Sequence, residues 1–211
     1  MFRLVERDYL IMREIERWRV CLGRHVRHLA GFSGQRATDR RLRVLIDAGY
    51  IDRQKILYGV PYIYKLTYKG KVLIYANTRI EQIKIDQIIH DIAVLDTAIY
   101  FLLKENLNPE DITTEKELHQ KDGFGVRKRR PDFLYKKDNK IYCVEIERTF
   151  KSKAKIEENL NNNFREYDGQ KWIVPNSQPR IINTIKSNMR KYAFIEILSL
   201  EEVIKYVGDN K

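Results

Sequence analysis

The chain has 211 residues, with 40 Lys and Arg against 29 Asp and Glu and a formal net charge of +11. A hydrophobic share of 43% with 13 Tyr excludes a disordered chain. No apolar run approaches the roughly 20 residues of a membrane span, and Cys21 and Cys143 offer neither a disulfide framework nor zinc-ligand spacing. The opening residues Met1 to Asp8 lack a signal-peptide apolar region, so a cytoplasmic protein with no membrane partner is expected. The charge is uneven. Residues 1–78 hold 16 Lys and Arg against 7 Asp and Glu, a net of +9, while the remaining residues hold 24 against 22. A compact basic unit points to nucleic acid; charge alone leaves an anionic membrane surface or an acidic protein partner open.

In chain order, apolar residues at Tyr9, Leu10, Met12 and Ile15 predict an amphipathic helix over 5–18. A shorter helix is expected over 20–32, ending at Gly31. Ser33 is the expected cap of a third helix over 34–48, which stops at Gly49. On this third helix Leu42, Leu45 and Ile46 form one stripe, and Arg36, Arg40 and Arg43 repeat at i, i+4, i+7 on the opposite face. Residues 50–57 and 62–67 read as strands around a Gly59-containing turn, with Arg53 and Lys55 on the first.

A long apolar helix is expected from Ile80 to about Glu105. His90, Asp91 and Asp96 on it read more readily as structural or capping groups than as catalytic ones. Ile112 to Leu118 alternates like a strand. The loop 120–130 carries Arg127, Lys128, Arg129 and Arg130, a basic run suited equally to a solvated loop or to phosphate contact. Two apolar segments around Lys137-Asp138-Asn139-Lys140 form a hairpin, and Ser152 caps the helix that follows. Gln170 to Val174 reads as a buried strand. Pro179 opens a helix with Ile181, Ile182, Ile185, Met189 and Tyr192 inward, Phe194 to Leu198 is a last strand, and Ser199 with Glu202 caps a terminal helix.

The hairpin carries the chemistry. Alternation places Cys143, Glu145 and Glu147 on one strand face and Val144 and Ile146 on the other. Two neighbouring carboxylates on a strand require either solvent or a positive charge. Asp132 can come opposite them, with Lys151 and Lys153 nearby, and three carboxylates around one point suit a hard cation, Mg2+ or Mn2+. Such an ion polarises a phosphodiester and lowers the pKa of its water.

Residues 5–75, with the run R-R-L-R-V-L-I-D-A-G-Y-I-D followed by Y-K-L-T-Y-K-G-K, resemble a winged helix-turn-helix. The resemblance implies that the third helix enters the major groove of double-stranded DNA and the hairpin contacts the backbone. It assigns DNA contact to Arg36, Arg40, Arg43, Arg53 and Lys55. A basic helical bundle that binds a protein, or a homodimer interface, is the alternative. Pro131-Asp132 with Glu145-Ile146-Glu147 resembles the PD-(D/E)xK nuclease motif, with Glu147 where its lysine usually stands and Lys151, Lys153 and Lys155 displaced into the next helix. That resemblance implies Asp132, Glu145 and Glu147 as metal ligands and Lys151 or Lys153 as support for the attacking water or the transition-state charge. It also keeps Asp91 and Asp96 as candidate extra acids.

The expected fold class is therefore α/β (α+β): a winged helix-turn-helix over 1–78, then a restriction-endonuclease-like α-β-β-β-α-β domain over 79–211. H-D-I-A-V-L-D, R-P-D and V-E-I-E-R-T-F-K-S in this order resemble the replication-relaxation family, itself similar to a class of plasmid mobilisation relaxases. This implies a plasmid or integrative element, action at an origin of replication or transfer, and replication or conjugation proteins as partners. The leading expectation is a metal-dependent DNA nickase or endonuclease. The alternatives are a non-catalytic initiator or repressor with a degenerate nuclease-like domain, and a regulator that senses a small ligand.

Overall fold

The computed structural model describes residues 3–56, 61–79, 83–123, 125–126 and 128–209. It is a mixed α/β protein with a three-stranded and a five-stranded sheet. The chain divides into two compact units, Met1–Leu95 and Asp96–Asp209. Among the described residues no helix is long and apolar enough to cross a membrane.

The first unit contains helix α1 (Glu6–Trp18), strand β1 (Cys21–Leu22), helices α2 (Gly23–Leu29) and α3 (Gln35–Asp47), strands β2 (Ile51–Gln54) and β3 (Ile63–Leu66), and helix α4 (Tyr68–Leu73). The first half of helix α5 (Ile85–Lys104) also belongs to it. The sheet order is β1-β3-β2, all antiparallel. The expected turn at 58–61 falls largely outside the described residues, as does the expected start of α5 at Ile80. Strand β1 lies where a helix was expected, because Cys21 and Leu22 pair with Tyr64 and Ile63. Ser33 is not the cap of α3. Gly34 takes that position, with extended backbone and no side-chain bond.

Two interactions set the direction of α3. Asp8, fully buried, accepts from the backbone N–H of Val5 at 2.8 Å and is clamped by the Arg41 guanidinium, which ties α1 to α3. A buried charge is tolerated only when so paired. Leu42 and Leu45 fill the core, so Arg41 turns inward while Arg36, Arg40 and Arg43 stay exposed. Val20, Leu22, Ile63 and Ile88 form a further apolar cluster, with Ile56, Ile83 and Ile92 against it.

The second unit holds strand β4 (Ile112–Thr114), helix α6 (Glu115–Asp122), strands β5 (Phe133–Lys137) and β6 (Lys140–Ile146), helix α7 (Lys153–Glu166), strand β7 (Gly169–Val174), helix α8 (Pro179–Asn188), strand β8 (Ile195–Ser199) and helix α9 (Leu200–Asp209). Sheet order follows chain order, β4-β5-β6-β7-β8, antiparallel through β6 and parallel thereafter. The strand expected over 112–118 stops at Thr114. The Thr114 hydroxyl accepts from the Glu117 N–H at 3.3 Å and Glu117 accepts from the Thr114 N–H at 2.7 Å, a reciprocal cap that starts α6 instead. The β5–β6 turn places Asp138 and Asn139 at positive φ, 50° and 61°, as a two-residue hairpin loop requires.

One sheet face carries Phe133 and Tyr135 against Phe101 of α5, with Tyr135 stacked on Tyr142. Tyr100 meets Tyr206 of α9 on this side. The other face carries Trp172, Val174 and Ile195 against Ile156 and Leu160 of α7 and Ile181 and Ile185 of α8. Ile182 and Tyr192 are partly buried there, whereas Met189, expected inward, is 40% exposed.

Gly70 in α4 offers a test of packing against propensity. Helix propensity favours Ala over Gly by about 1 kcal/mol, but a Cβ at Gly70 would lie 2.1 Å from the backbone oxygen of Tyr50. That oxygen also accepts from the Thr67 N–H and hydroxyl, at 3.2 and 3.1 Å, and cannot yield freely. Gly70→Ala is expected to destabilise by about 1 to 3 kcal/mol, as overpacking does. Denaturant unfolding measures it, and a more stable variant would show that α4 can shift away from β2.

Candidate functional site

Each unit holds one candidate site. In the second unit, hairpin register sets Phe133 against Val144, so Asp132, just before β5, comes level with Glu145. Asp132 Oδ2 accepts from the backbone N–H of Ile146 at 2.6 Å. The strand faces are as alternation predicts: Val144 and Ile146 lie on the aromatic face, and Cys143 and Glu145 lie beneath α7. Glu145 and Glu147 are only 5% and 4% exposed.

Each glutamate has a partner. Glu145 accepts from the Arg129 guanidinium and, at 2.9 Å, from the side-chain amide of Asn163 on α7, while Arg129 also donates to Asn163 Oδ1 at 3.2 Å. Glu147 accepts from Lys151 at 3.1 Å. Lys153 lies elsewhere, 69% exposed and 3.9 Å from Glu157. The positive charge expected beside the paired glutamates is a metal ion with Lys151 and Lys153 nearby; the charge that stands against Glu145 is the Arg129 guanidinium, and neither Arg129 nor Asn163 is among the expected partners of this glutamate. The signal available was Arg129 in R-R-P-D, two residues before the hairpin, but no local rule assigns it to a strand 16 residues on.

The rest of the basic loop is also engaged. Arg130 is held bidentately by Asp122, and Lys128 reaches Glu166 at 2.9 Å; Arg127 lies outside the described residues. Asp91, in the first unit, is held by Gln87 at 2.8 Å and lies 3.7 Å from Arg19. Asp96 is fully buried. His90 is partly buried within α5.

The three carboxylates are hard oxygen donors, the class a magnesium ion takes. Asn159, one helical turn before Asn163 and 2% exposed, adds a buried oxygen, Oδ1, with no hydrogen bond among the described residues. These donors do not form one set, however. Among the described residues no three His, Cys, Asp or Glu groups come together in a way that could hold a metal ion. In this arrangement Arg129 supplies the counter-charge on Glu145.

The second site is a groove of about 850 Å³ in the first unit. Arg36, Arg40 and Arg43 of α3 line it with Arg24 of α2 and Arg53 of β2. Arg53 lies over the Tyr62 ring, 5.0 Å from its centre, which fixes a flexible cation against an aromatic face. Of the residues expected to contact DNA, the four arginines come together here; Lys55 is exposed beyond β2 and does not line the groove. Arg24, from α2, is not among the residues expected to contact DNA, and the packing of α2 against α3 brings it to the groove.

Searches of the chain against protein-family models and against curated proteins returned no match to either.

Burial pushes the Glu145 carboxyl up to about 7; Arg129 opposes the rise, Asp132 adds to it, and the Asn163 hydrogen bond opposes it. The folded state therefore binds a proton that the unfolded chain, titrating near 4.5, has released. This contribution to stability is complete below about 4.5 and is lost as pH rises through about 7. Melting temperature from pH 4 to 8 should show that decline in the native protein and a flatter profile in Glu145→Gln; identical profiles would mean that Glu145 stays ionised in the folded state.

Proposed function

We propose that this protein is a sequence-specific binder of double-stranded DNA, with the groove on α3 as its reading surface. The observation that carries this reading is the convergence of five arginines from α2, α3 and β2 on one concavity. Four of these arginines, Arg36, Arg40, Arg43 and Arg53, are exposed and Arg24 is half-buried; cations gathered around one concavity create a positive potential that attracts a polyanion. Arginine also combines phosphate contact with bidentate recognition of guanine edges. The order α1-β1-α2-α3-β2-β3, with the sheet β1-β3-β2, supports a winged helix-turn-helix, in which α3 would lie in the major groove and the β2–β3 hairpin along the backbone.

The second unit is assigned to a PD-(D/E)xK-like fold, supported by Asp132 before the second strand and Glu145 on the third. The resemblance to the replication-relaxation family supplies the setting: a cytoplasmic protein of a plasmid or mobile element, acting at an origin of replication or transfer, alone or as a homodimer, with replication or conjugation proteins. With Arg129 on Glu145, this unit serves best as a platform. A second reading, a nickase or endonuclease dependent on Mg2+ or Mn2+, is favoured by the closeness of Asp132 to Glu145, the Lys151 partner of Glu147, and the orphaned Asn159 oxygen. It requires the guanidinium to leave Glu145.

Binding of the full chain to duplex DNA should weaken steeply with salt, with a slope of about 0.9 per phosphate contacted. Arg36→Ala or Arg43→Ala should each reduce the slope by about one unit, and Arg40→Ala should cost about 1 to 3 kcal/mol of sequence discrimination. Electrophoretic shifts across a salt series decide it; salt-independent or absent binding refutes the DNA reading.

Supercoiled plasmid carrying the neighbouring DNA separates the platform from the nickase. Open circles that form with magnesium or manganese, vanish with chelator and are lost in Asp132→Asn establish cleavage. Intact supercoils under conditions where binding is saturated establish the platform.

A further inference from the structure

The arginine groove also holds one carboxylate. Asp39 lies on α3 between Arg36 and Arg43, three residues after the first and four before the second, so it stands in the middle of the basic face. It is exposed, and its Oδ1 accepts from the Gln35 side-chain amide at 2.7 Å. Its charge also acts on the Tyr64 hydroxyl, which burial and then Asp39 hold above the ordinary tyrosine range. A carboxylate there repels the phosphates that the five arginines attract. Such a residue weakens binding to DNA in general and is compatible with tight binding only where it faces a donor.

Gln35 is seated by a second feature. Gly23 opens α2 at the groove wall, and a Cβ on it would lie 2.8 Å from Gln35 Nε2 and 3.6 Å from Asp39 Oδ1. The missing side chain leaves room for the Gln35 amide, and the Asp39 bond fixes its plane. With one amide hydrogen given to Asp39, the pair presents acceptors, the free Asp39 oxygen and Gln35 Oε1, beside a single remaining donor.

Building on the DNA-binding reading, we propose that Gly23, Gln35 and Asp39 form the sequence filter of the groove, selecting base edges that carry an exocyclic amine. In the major groove these are cytosine N4 and adenine N6; guanine O6 and thymine O4, both acceptors, meet a repelling oxygen. The arginines supply affinity, and the Asp39–Gln35 pair selects the register.

The test is selection from a pool of randomised duplex DNA with the full-length protein and with Asp39→Ala, Asp39→Asn and Gly23→Ala, followed by titration of each on the selected duplex and on an unrelated one. The expected wild-type site has cytosine or adenine at one or two positions that the variants lose, with discrimination there falling roughly ten- to hundredfold. Asp39→Ala should bind the unrelated duplex several-fold more tightly, since a repelling charge is gone. Gly23→Ala should weaken discrimination too, although it changes no charge. Its contact is the mobile end of a side chain, so the fold accommodates it. Variants that recover the wild-type site with undiminished discrimination overturn the filter while leaving DNA binding intact. A wild-type protein that binds no duplex in a salt-dependent manner overturns both.

Discussion

A charge placed in a protein interior must be answered by another, and much of this structure is arranged around that requirement. Glu145 lies on a strand whose far end is buried on both faces, so its carboxylate has little access to water. Arg129 and Asn163 answer it together and also bond to each other, forming a closed set of three side chains from the loop before β5, from β6 and from α7. The set fixes where α7 lies over the sheet and anchors the basic loop, whose Arg130 and Lys128 are drawn to Asp122 and Glu166. In the first unit Asp8 and Arg41 apply the same rule between α1 and α3.

The rule also separates the two basic regions of the chain. In the loop 128–130 each cation has an internal carboxylate, so positive charge there holds structure together. On α3 the inward Arg41 is consumed in the same way, but Arg36, Arg40 and Arg43 remain exposed around a concavity with Arg24 and Arg53. Net charge alone cannot distinguish these uses. What matters is how many guanidinium groups face outward together, since that number sets the potential felt by an approaching polyanion.

Much of the chain is legible locally. The cap at Ser152, the Pro179 start of α8, the Asp138-Asn139 hairpin and the Arg36-Arg40-Arg43 stripe follow from side-chain bonding, fixed φ and helical repeat, all acting within a few residues. Local signals fail where two of them compete. Ile112 to Leu118 alternates like a strand, yet Thr114 and Glu117 cap a helix, and the reciprocal bonds prevailed over weak alternation. Ser33 suits a cap, yet Gly34 takes the place.

The sequence by itself determined the long helices, the β5–β6 hairpin, the faces of β6 and the concentration of charge in the first third, because each depends on periodicity or composition along a short stretch. Only the tertiary structure decided that two residues at Cys21 form a strand, since a strand that short exists through its pairing with β3. Tertiary structure also decided that Arg129, 16 residues from Glu145, supplies the charge against that glutamate, and that Gly23 and Gln35 meet beside Asp39. Contacts of this kind depend on which surfaces the packed helices bring face to face, and no spacing along the chain encodes them.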